Sequence, residues 1–202
     1  LNTTNTTASA MTFGGTTYTT TGSQSYTAGA GGLINTSGTV GFTTTDNPIT
    51  FATGTLTPAA ASVVSLTAGL GAISVGPVNG GATTTLHFIN TGTVTTTSTV
   101  TIGTLDFTTP SGISIANDIT TLTSGLTFPS AVTLTGNAII TTPNQPLVFS
   151  NTINGARTLS LQAGSGLITL SGNAGNSTPL TSLTLNTTNT TASAMTFGGT
   201  TY

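Results

Sequence analysis

Apolar side chains recur along this chain in pairs separated by a single residue. An apolar, intervening, apolar spacing places both apolar side chains on one face of an extended strand. Each pair therefore predicts a short β-strand with one buried face. The pairs are Met11/Phe13, Val40/Phe42, Ile49/Phe51, Val64/Leu66, Ile73/Val75, Leu86/Phe88, Val100/Ile102, Leu105/Phe107, Ile113/Ile115, Leu126/Phe128, Val132/Leu134, Leu147/Phe149, Leu159/Leu161, Ile168/Leu170, Leu183/Leu185 and Met195/Phe197.

The residues between the pairs favour turns and disfavour helices. Thr, Gly, Asn, Ser and Val fill every window, and no stretch carries an apolar stripe at helical spacing over three turns. Stretches such as "TDNP", "NGG" and "TPNQP" provide turn residues. Short strands at regular intervals are typical of a sandwich, a barrel or a solenoid.

Exact internal repetition decides among these three folds. "LNTTNTTASAMTFGGTTY" occupies residues 1–18 and again residues 185–202, an offset of 184 residues. We therefore interpret residues 1–184 as one unit of a tandem array and residues 185–202 as the start of the next identical unit. Such arrays form solenoids. At roughly 20 residues per coil, one unit predicts about nine to ten coils of an all-β, parallel β-helix.

A weaker repeat lies inside the unit. "DNPITF" (46–51) is similar to "NQPLVF" (144–149), and "SLTAGLGAISVG" (65–76) is similar to "SLQAGSGLITLSG" (160–172). The offsets are close to half of the long period. The unit is therefore expected to consist of two degenerate halves of about 92 residues each.

Three stretches carry a family resemblance. "TTTGSQSY" (19–26), "INGARTLSLQAGSGLITLSG" (153–172) and "TPLTSLTLN" (178–186) resemble the degenerate repeats of filamentous-haemagglutinin-like exoproteins. These are large bacterial surface proteins of the two-partner secretion type. The resemblance implies a right-handed parallel β-helix, an extracellular or cell-surface location and a role in adhesion.

Composition excludes several classes of function. Charged residues make up 2% of the chain, Lys is absent and Arg157 is the single arginine. Such a surface lacks the positive charge needed to bind phosphates, so no nucleic-acid partner is expected. The apolar runs are a few residues long, so no membrane insertion is expected. In a parallel stack a column of like charges would repel itself along the rod, whereas threonine hydroxyls avoid that cost.

Few residues are candidates for catalysis or metal binding. His87 is the single histidine, and its place between two apolar residues predicts a surface or ladder position. Asp46 and Asp118 are expected in turns and Asp106 on an outer strand face. Without cysteine or a second histidine, we expect no metal, no cofactor and no enzyme activity.

Two functions follow as expectations. The first is a structural repeat of an extracellular filament, whose partner is the protein itself, stacked head to tail and able to bundle laterally. The second is an adhesin whose outer face binds a glycan or a cell-surface receptor through Tyr18, Gln24 and Tyr26. The alternative for the two tyrosines is packing at a coil corner. A cross-β assembly of separate chains is a third possibility, which the long period and varied strands disfavour.

Overall fold

The alternating pairs fold into strands that stack in parallel, coil upon coil. The computed structural model describes Leu1, residues 3–5 and residues 10–202, and these residues form a parallel β-solenoid without any helix. Each coil runs along three sides of a narrow core, and the corresponding strands of successive coils pair with one another. The predicted all-β solenoid is confirmed.

The strands, numbered in chain order, divide among the three sides. Side 1 is one nine-stranded sheet of β1 (Met11–Phe13), β4 (Leu33–Thr36), β7 (Thr55–Pro58), β10 (Val78–Asn79), β13 (Val100–Ile102), β16 (Ile119–Thr121), β19 (Ala138–Thr141), β22 (Thr158–Gln162) and β24 (Ser182–Asn186). Side 2 is a five-stranded sheet of β2 (Thr17–Thr20), β5 (Thr39–Thr44), β8 (Val63–Gly69), β11 (Thr85–Asn90) and β14 (Thr104–Phe107), followed by a four-stranded sheet of β17 (Leu126–Phe128), β20 (Leu147–Phe149), β23 (Ile168–Leu170) and β25 (Met195–Phe197). Side 3 is a seven-stranded sheet of β3 (Gln24–Tyr26), β6 (Ile49–Phe51), β9 (Ile73–Val75), β12 (Thr93–Thr96), β15 (Gly112–Ile115), β18 (Val132–Leu134) and β21 (Ile153–Asn154), extended by a bridge from Ile153 to Ala174.

The coils are longer than the sequence predicted. The shortest offset between paired residues on side 1 is 19, from Val100 to Ile119, and the longest is 24, from Leu161 to Leu185. Most offsets are 21 or 22, as from Ile34 to Leu56. The predicted nine to ten coils per 184 residues are therefore corrected to about eight, because the corners hold more residues than the assumed coil length allowed.

The predicted apolar pairs form the core. Every pair lies in a strand, and both members are buried in all pairs from Met11/Phe13 to Ile168/Leu170. The last two pairs differ, since Leu183 and Leu185 are half-buried and Met195 and Phe197 are exposed. These residues lie on the final coil, over which the described chain places no further coil.

Threonine replaces an apolar residue at several inward positions. Thr36, Thr96 and Thr121 are at most 1% exposed, at the ends of strands that the pair pattern did not predict. The Thr121 hydroxyl donates to the carbonyl oxygen of Ser124 (2.7 Å). The buried hydroxyls of Thr36 and Thr96 have no hydrogen-bond partner. An unpaired buried hydroxyl lowers stability, whereas a paired one does not.

This difference predicts opposite effects for one substitution. Thr96→Val replaces an unpaired hydroxyl with a methyl group between Val75 and Ile115, and should raise the free energy of unfolding by about 1 kcal/mol. Thr121→Val removes a hydrogen bond and should lower the free energy of unfolding by about 1 kcal/mol. Urea denaturation of the two variants measures both. A destabilised Thr96→Val protein would contradict an unpaired hydroxyl.

Candidate interaction surfaces

The three residues proposed for ligand contact come together at the first coil, but two of them point inward. Gln24 is 4% and Tyr26 is 7% exposed. The Tyr26 ring stacks on Phe51 at 4.8 Å between centroids and meets Phe13 edge-on at 5.2 Å. The outward placement expected for Gln24 and Tyr26 is therefore corrected, since the aromatic ring packs in the core.

Gln24 is stable inside because its whole amide is hydrogen-bonded. Its Nε2 group donates to the carbonyl oxygens of Tyr18 (2.8 Å) and Thr43 (2.9 Å), and its Oε1 accepts from the Tyr26 hydroxyl (3.0 Å). The amide thus joins two successive coils at the corner between sides 2 and 3. Tyr26, the last residue of β3, packs inside the solenoid.

Tyr18 keeps part of its side chain at the surface. Its ring stacks on Phe42 at 5.4 Å and meets Phe13 edge-on at 5.0 Å, while its hydroxyl oxygen accepts from the N–H of Gly15 (3.0 Å). Of the three proposed contact residues, it alone offers an accessible edge to a ligand. Glycan or receptor binding by these residues stays a prediction.

Burial of the phenol makes Tyr26 sensitive to alkaline pH. Desolvation raises the pKa of Tyr26 to about 12, and the neighbouring Tyr18 phenol contributes in the same direction by a smaller amount. A phenol in an unfolded chain has a pKa of about 10, so the unfolded state loses its proton first. The stability that neutral Tyr26 contributes is complete below pH 10 and is lost as the pH rises through about 12.

We therefore expect the urea midpoint of the wild-type protein to fall between pH 10 and pH 12. Tyr26→Phe should flatten that fall, at the cost of about 1 kcal/mol at neutral pH because Gln24 Oε1 loses its donor. Tyr202→Phe, which retains Tyr26, is the matched control and should keep the wild-type slope. Equal slopes in all three proteins would contradict the role given to Tyr26.

The charged residues take structural positions. His87 Nδ1 lies 3.0 Å from Asp106 Oδ2 on the next coil, and both side chains point outward from side 2. Asp46, with φ of 57°, accepts from the N–H of Leu70 (2.8 Å). Asp118 accepts from the N–H of Ile139 (2.8 Å) at another corner. The surface position of His87, the outer-face position of Asp106 and the turn positions of Asp46 and Asp118 are confirmed.

Apart from the His87–Asp106 pair, the carboxylates lie at separate corners of the solenoid. Among the described residues, no group of three or more His, Cys, Asp or Glu side chains lies close enough to hold a metal ion. Arg157 Nε donates to the carbonyl oxygen of Thr135 (2.9 Å), so the guanidinium caps the backbone of the coil below. The polar groups of these residues therefore form hydrogen bonds mainly with residues of neighbouring coils.

Exposed apolar residues of the second copy lie at the open end of the stack, the last coil of the described chain, which holds β24 and β25. Met195 and Phe197 are 36% and 50% exposed, whereas Met11 and Phe13, the same residues of the first copy, are each 5% exposed. A cleft of about 580 Å³ opens beside this end, lined by Ala174, Pro179, Leu180 and Tyr202 among others. The end of the stack is thus the strongest candidate for an interaction surface.

Comparison with family models, curated proteins and solved structures found no match to this chain. The described residues include no helix long and apolar enough to cross a membrane. The solenoid agrees with the fold of β-helical adhesin repeats at the level of architecture.

Proposed function

We propose that this chain is a structural repeat of an extracellular bacterial filament, which propagates by coil-on-coil stacking of tandem repeats or subunits. One observation carries the proposal: the second copy of the 18-residue segment continues the stack as a new coil. The copy begins with the last two residues of β24, Leu185 and Asn186, and β24 pairs in parallel with β22, from Thr158 with Ser182 to Gln162 with Asn186. In the same way, β25 pairs with β23. The start of one unit therefore fits on the end of another through ordinary solenoid pairing.

The open end supports further growth. The outer edges of β24 and β25 have no neighbouring strand in the described chain, and an unpaired parallel edge is a template for another strand. In the first copy, β4 covers β1 and places Ile34 over Met11 and Thr36 over Phe13. A corresponding coil over the second copy would bury Met195 and Phe197 in the same way. Growth by stacking therefore removes apolar surface from water.

The sides of the rod support lateral association. Outward positions along the strands carry mainly Thr and Ser, and the formal net charge is −2 for 202 residues. Neutral hydroxyl surfaces resist close approach less than surfaces with a large net charge do. The extracellular bacterial setting comes from the resemblance to filamentous-haemagglutinin-like repeats, and it belongs to the proposal.

A two-unit chain tests the proposal. It consists of residues 1–202 followed directly by residues 19–202, so that residues 185–202 lie at the junction. If the rod is continuous, the backbone amides of Met195–Phe197 exchange with solvent slowly in the two-unit chain and quickly in the one-unit chain. The amides of Ile73–Val75 in β9, a strand that is paired along both of its edges, are the control and should exchange slowly in both.

Electron microscopy of the same protein gives an independent measurement. We expect one straight rod of about twice the length of the one-unit rod. Two separate particles joined by a flexible junction, with fast exchange at Met195–Phe197, would overturn the stacking proposal.

A further inference from the structure

The two copies of the 18-residue segment lie on different sides of the solenoid. Met11–Phe13 forms β1 on side 1, whereas the identical Met195–Phe197 forms β25 on side 2. Likewise Leu1 hydrogen-bonds to Ser25 and Thr27 at the strand of side 3, whereas Leu185 lies in β24 on side 1. The second copy is therefore placed one side further around the core than the first.

Residues 13–18 and residues 197–202 nevertheless make the same local contacts in both places. Phe13 meets Tyr18 edge-on at 5.0 Å and 81°, and Phe197 meets Tyr202 at 5.0 Å and 79°. The N–H of Gly15 donates to the Tyr18 hydroxyl, and the N–H of Gly199 donates to the Tyr202 hydroxyl. These contacts lie within the segment. The contacts between the phenylalanine, the glycine and the tyrosine of the segment therefore recur on a different side.

A change of side also occurs inside the unit, although in a different step. Asp46 and Asn144 both have a positive φ, 57° and 61°, and each accepts a backbone N–H from the next coil, at 2.8 Å from Leu70 and 3.0 Å from Ser165. Asp46 lies at the corner from side 2 to side 3, and Asn144 at the corner from side 1 to side 2. The same hydrogen-bonded turn therefore occurs at two different corners of the three-sided coil.

Counting strands gives the offset between units. From β1 to β25 the chain advances by 24 strands. The bridge at Ala174 takes the position of one further strand on side 3, so the chain passes 25 strand positions, called places here. At three places per coil, 25 places are eight complete coils and one additional side. A period that is not a whole number of coils rotates each unit relative to the one before it.

We propose that the partner of the open end is a second copy of this repeat. The second copy is rotated about the rod axis by one side relative to the first, so that the fourth copy has the same orientation as the first. This inference rests on the proposed function and specifies the geometry of its contact. At about 4.8 Å per coil, each unit adds about 40 Å of rod, and the full pattern repeats after about 120 Å.

The rotation distributes every surface feature over all three sides. The His87–Asp106 pair projects from side 2 of one unit, from side 3 of the next and from side 1 of the third. Tyr18 is distributed in the same way. A long rod therefore has no unique side, and it presents the same chemistry to lateral neighbours in three directions.

Cysteine pairs in the two-unit chain test this arrangement, since the natural sequence has no cysteine. Thr169 and Thr196 face each other across β23 and β25 on side 2, so Thr169→Cys with Thr196→Cys should form a disulfide on mild oxidation. If the second unit instead started on the same side as the first, the residue at 196 would lie on side 1. Ser160→Cys with Thr196→Cys, which joins side 1 of the preceding coil, is the matched control.

The outcomes separate the two proposals. A disulfide between positions 169 and 196, with none between 160 and 196, supports the rotated contact. A disulfide between 160 and 196 in a continuous rod overturns the rotation and leaves coil-on-coil stacking intact. Failure of both disulfides, with fast amide exchange at Met195–Phe197, overturns stacking and rotation together.

Discussion

Phe128→Ala should lower the free energy of unfolding by about 3–5 kcal/mol, the range for a buried phenylalanine truncated in a packed core. Phe128 is fully buried, and its ring lies 5.5 Å from Phe107 and 4.5 Å from Phe149. Phe88 extends this column of rings on side 2. The backbone spacing of the coils fixes the neighbouring rings, so they cannot move together to fill the cavity.

Phe197→Ala is the matched control, because Phe197 has the same residue type and lies on the same side. Its ring is 50% exposed, and we expect a loss of less than about 1 kcal/mol. Urea denaturation gives both values. Equal losses would show that the column of rings does not determine stability at this side.

The same variant tests how far disturbance travels along the rod. Each coil contacts mainly its two neighbours, so the stability of a solenoid is close to a sum of local terms. Amides in β14, β17 and β20 should lose protection from hydrogen exchange in Phe128→Ala, whereas amides in β4 and β5 should keep theirs. Uniform loss along the chain would indicate a single cooperative unit.

Most of the strands that the pair pattern missed carry a single inward apolar residue, although β19 has two, Ala138 and Ile140. β12 combines Val94 with an inward Thr96, and β16 combines Ile119 with an inward Thr121. Threonine counts as a polar residue in a sequence pattern. Its methyl group can nevertheless fill a core position, and its hydroxyl can donate a hydrogen bond to a backbone carbonyl oxygen at a corner of the coil. A pattern that admits threonine as the second member would have found these strands.

The sequence could not predict which side each strand occupies. Side depends on the number of corners that precede a strand, and corner lengths vary without a clear sequence signal. Gln24 was also placed on the wrong face, because its burial depends on carbonyl oxygens of Tyr18 and Thr43, which the fold alone brings into reach. The inward-facing apolar residues of a strand can therefore be predicted from the sequence, whereas the residues that pack against the strand cannot.

Gly155→Ala should lower the free energy of unfolding by more than about 3 kcal/mol, because two penalties add at one position. Gly155 has a φ of +129°, a conformation that residues with a side chain rarely adopt. A Cβ atom there would also collide with the carbonyl oxygen of Leu134 on the coil below. The corner after β21 thus requires glycine for both conformation and space.

Two other glycines separate these penalties. Gly31 has a φ of +81°, and a Cβ atom added there would meet no other atom within 4 Å, so Gly31→Ala should cost about 1–2 kcal/mol from backbone conformation alone. Gly22 has open space and no positive φ, so Gly22→Ala should change stability by less than about 0.5 kcal/mol. Thermal or urea unfolding ranks the three variants.

The ranking tests whether backbone contact at the corners holds the coils at their spacing. If Gly155→Ala costs no more than Gly31→Ala, the coils can separate locally at the corner, and strand pairing on the three sides alone sets the axial rise. If it costs much more, the corner itself keeps adjacent coils in contact. In that case a glycine at a tight corner contributes to the stiffness of the rod as directly as the apolar pairs do, since any stacked copy must preserve the same close approach.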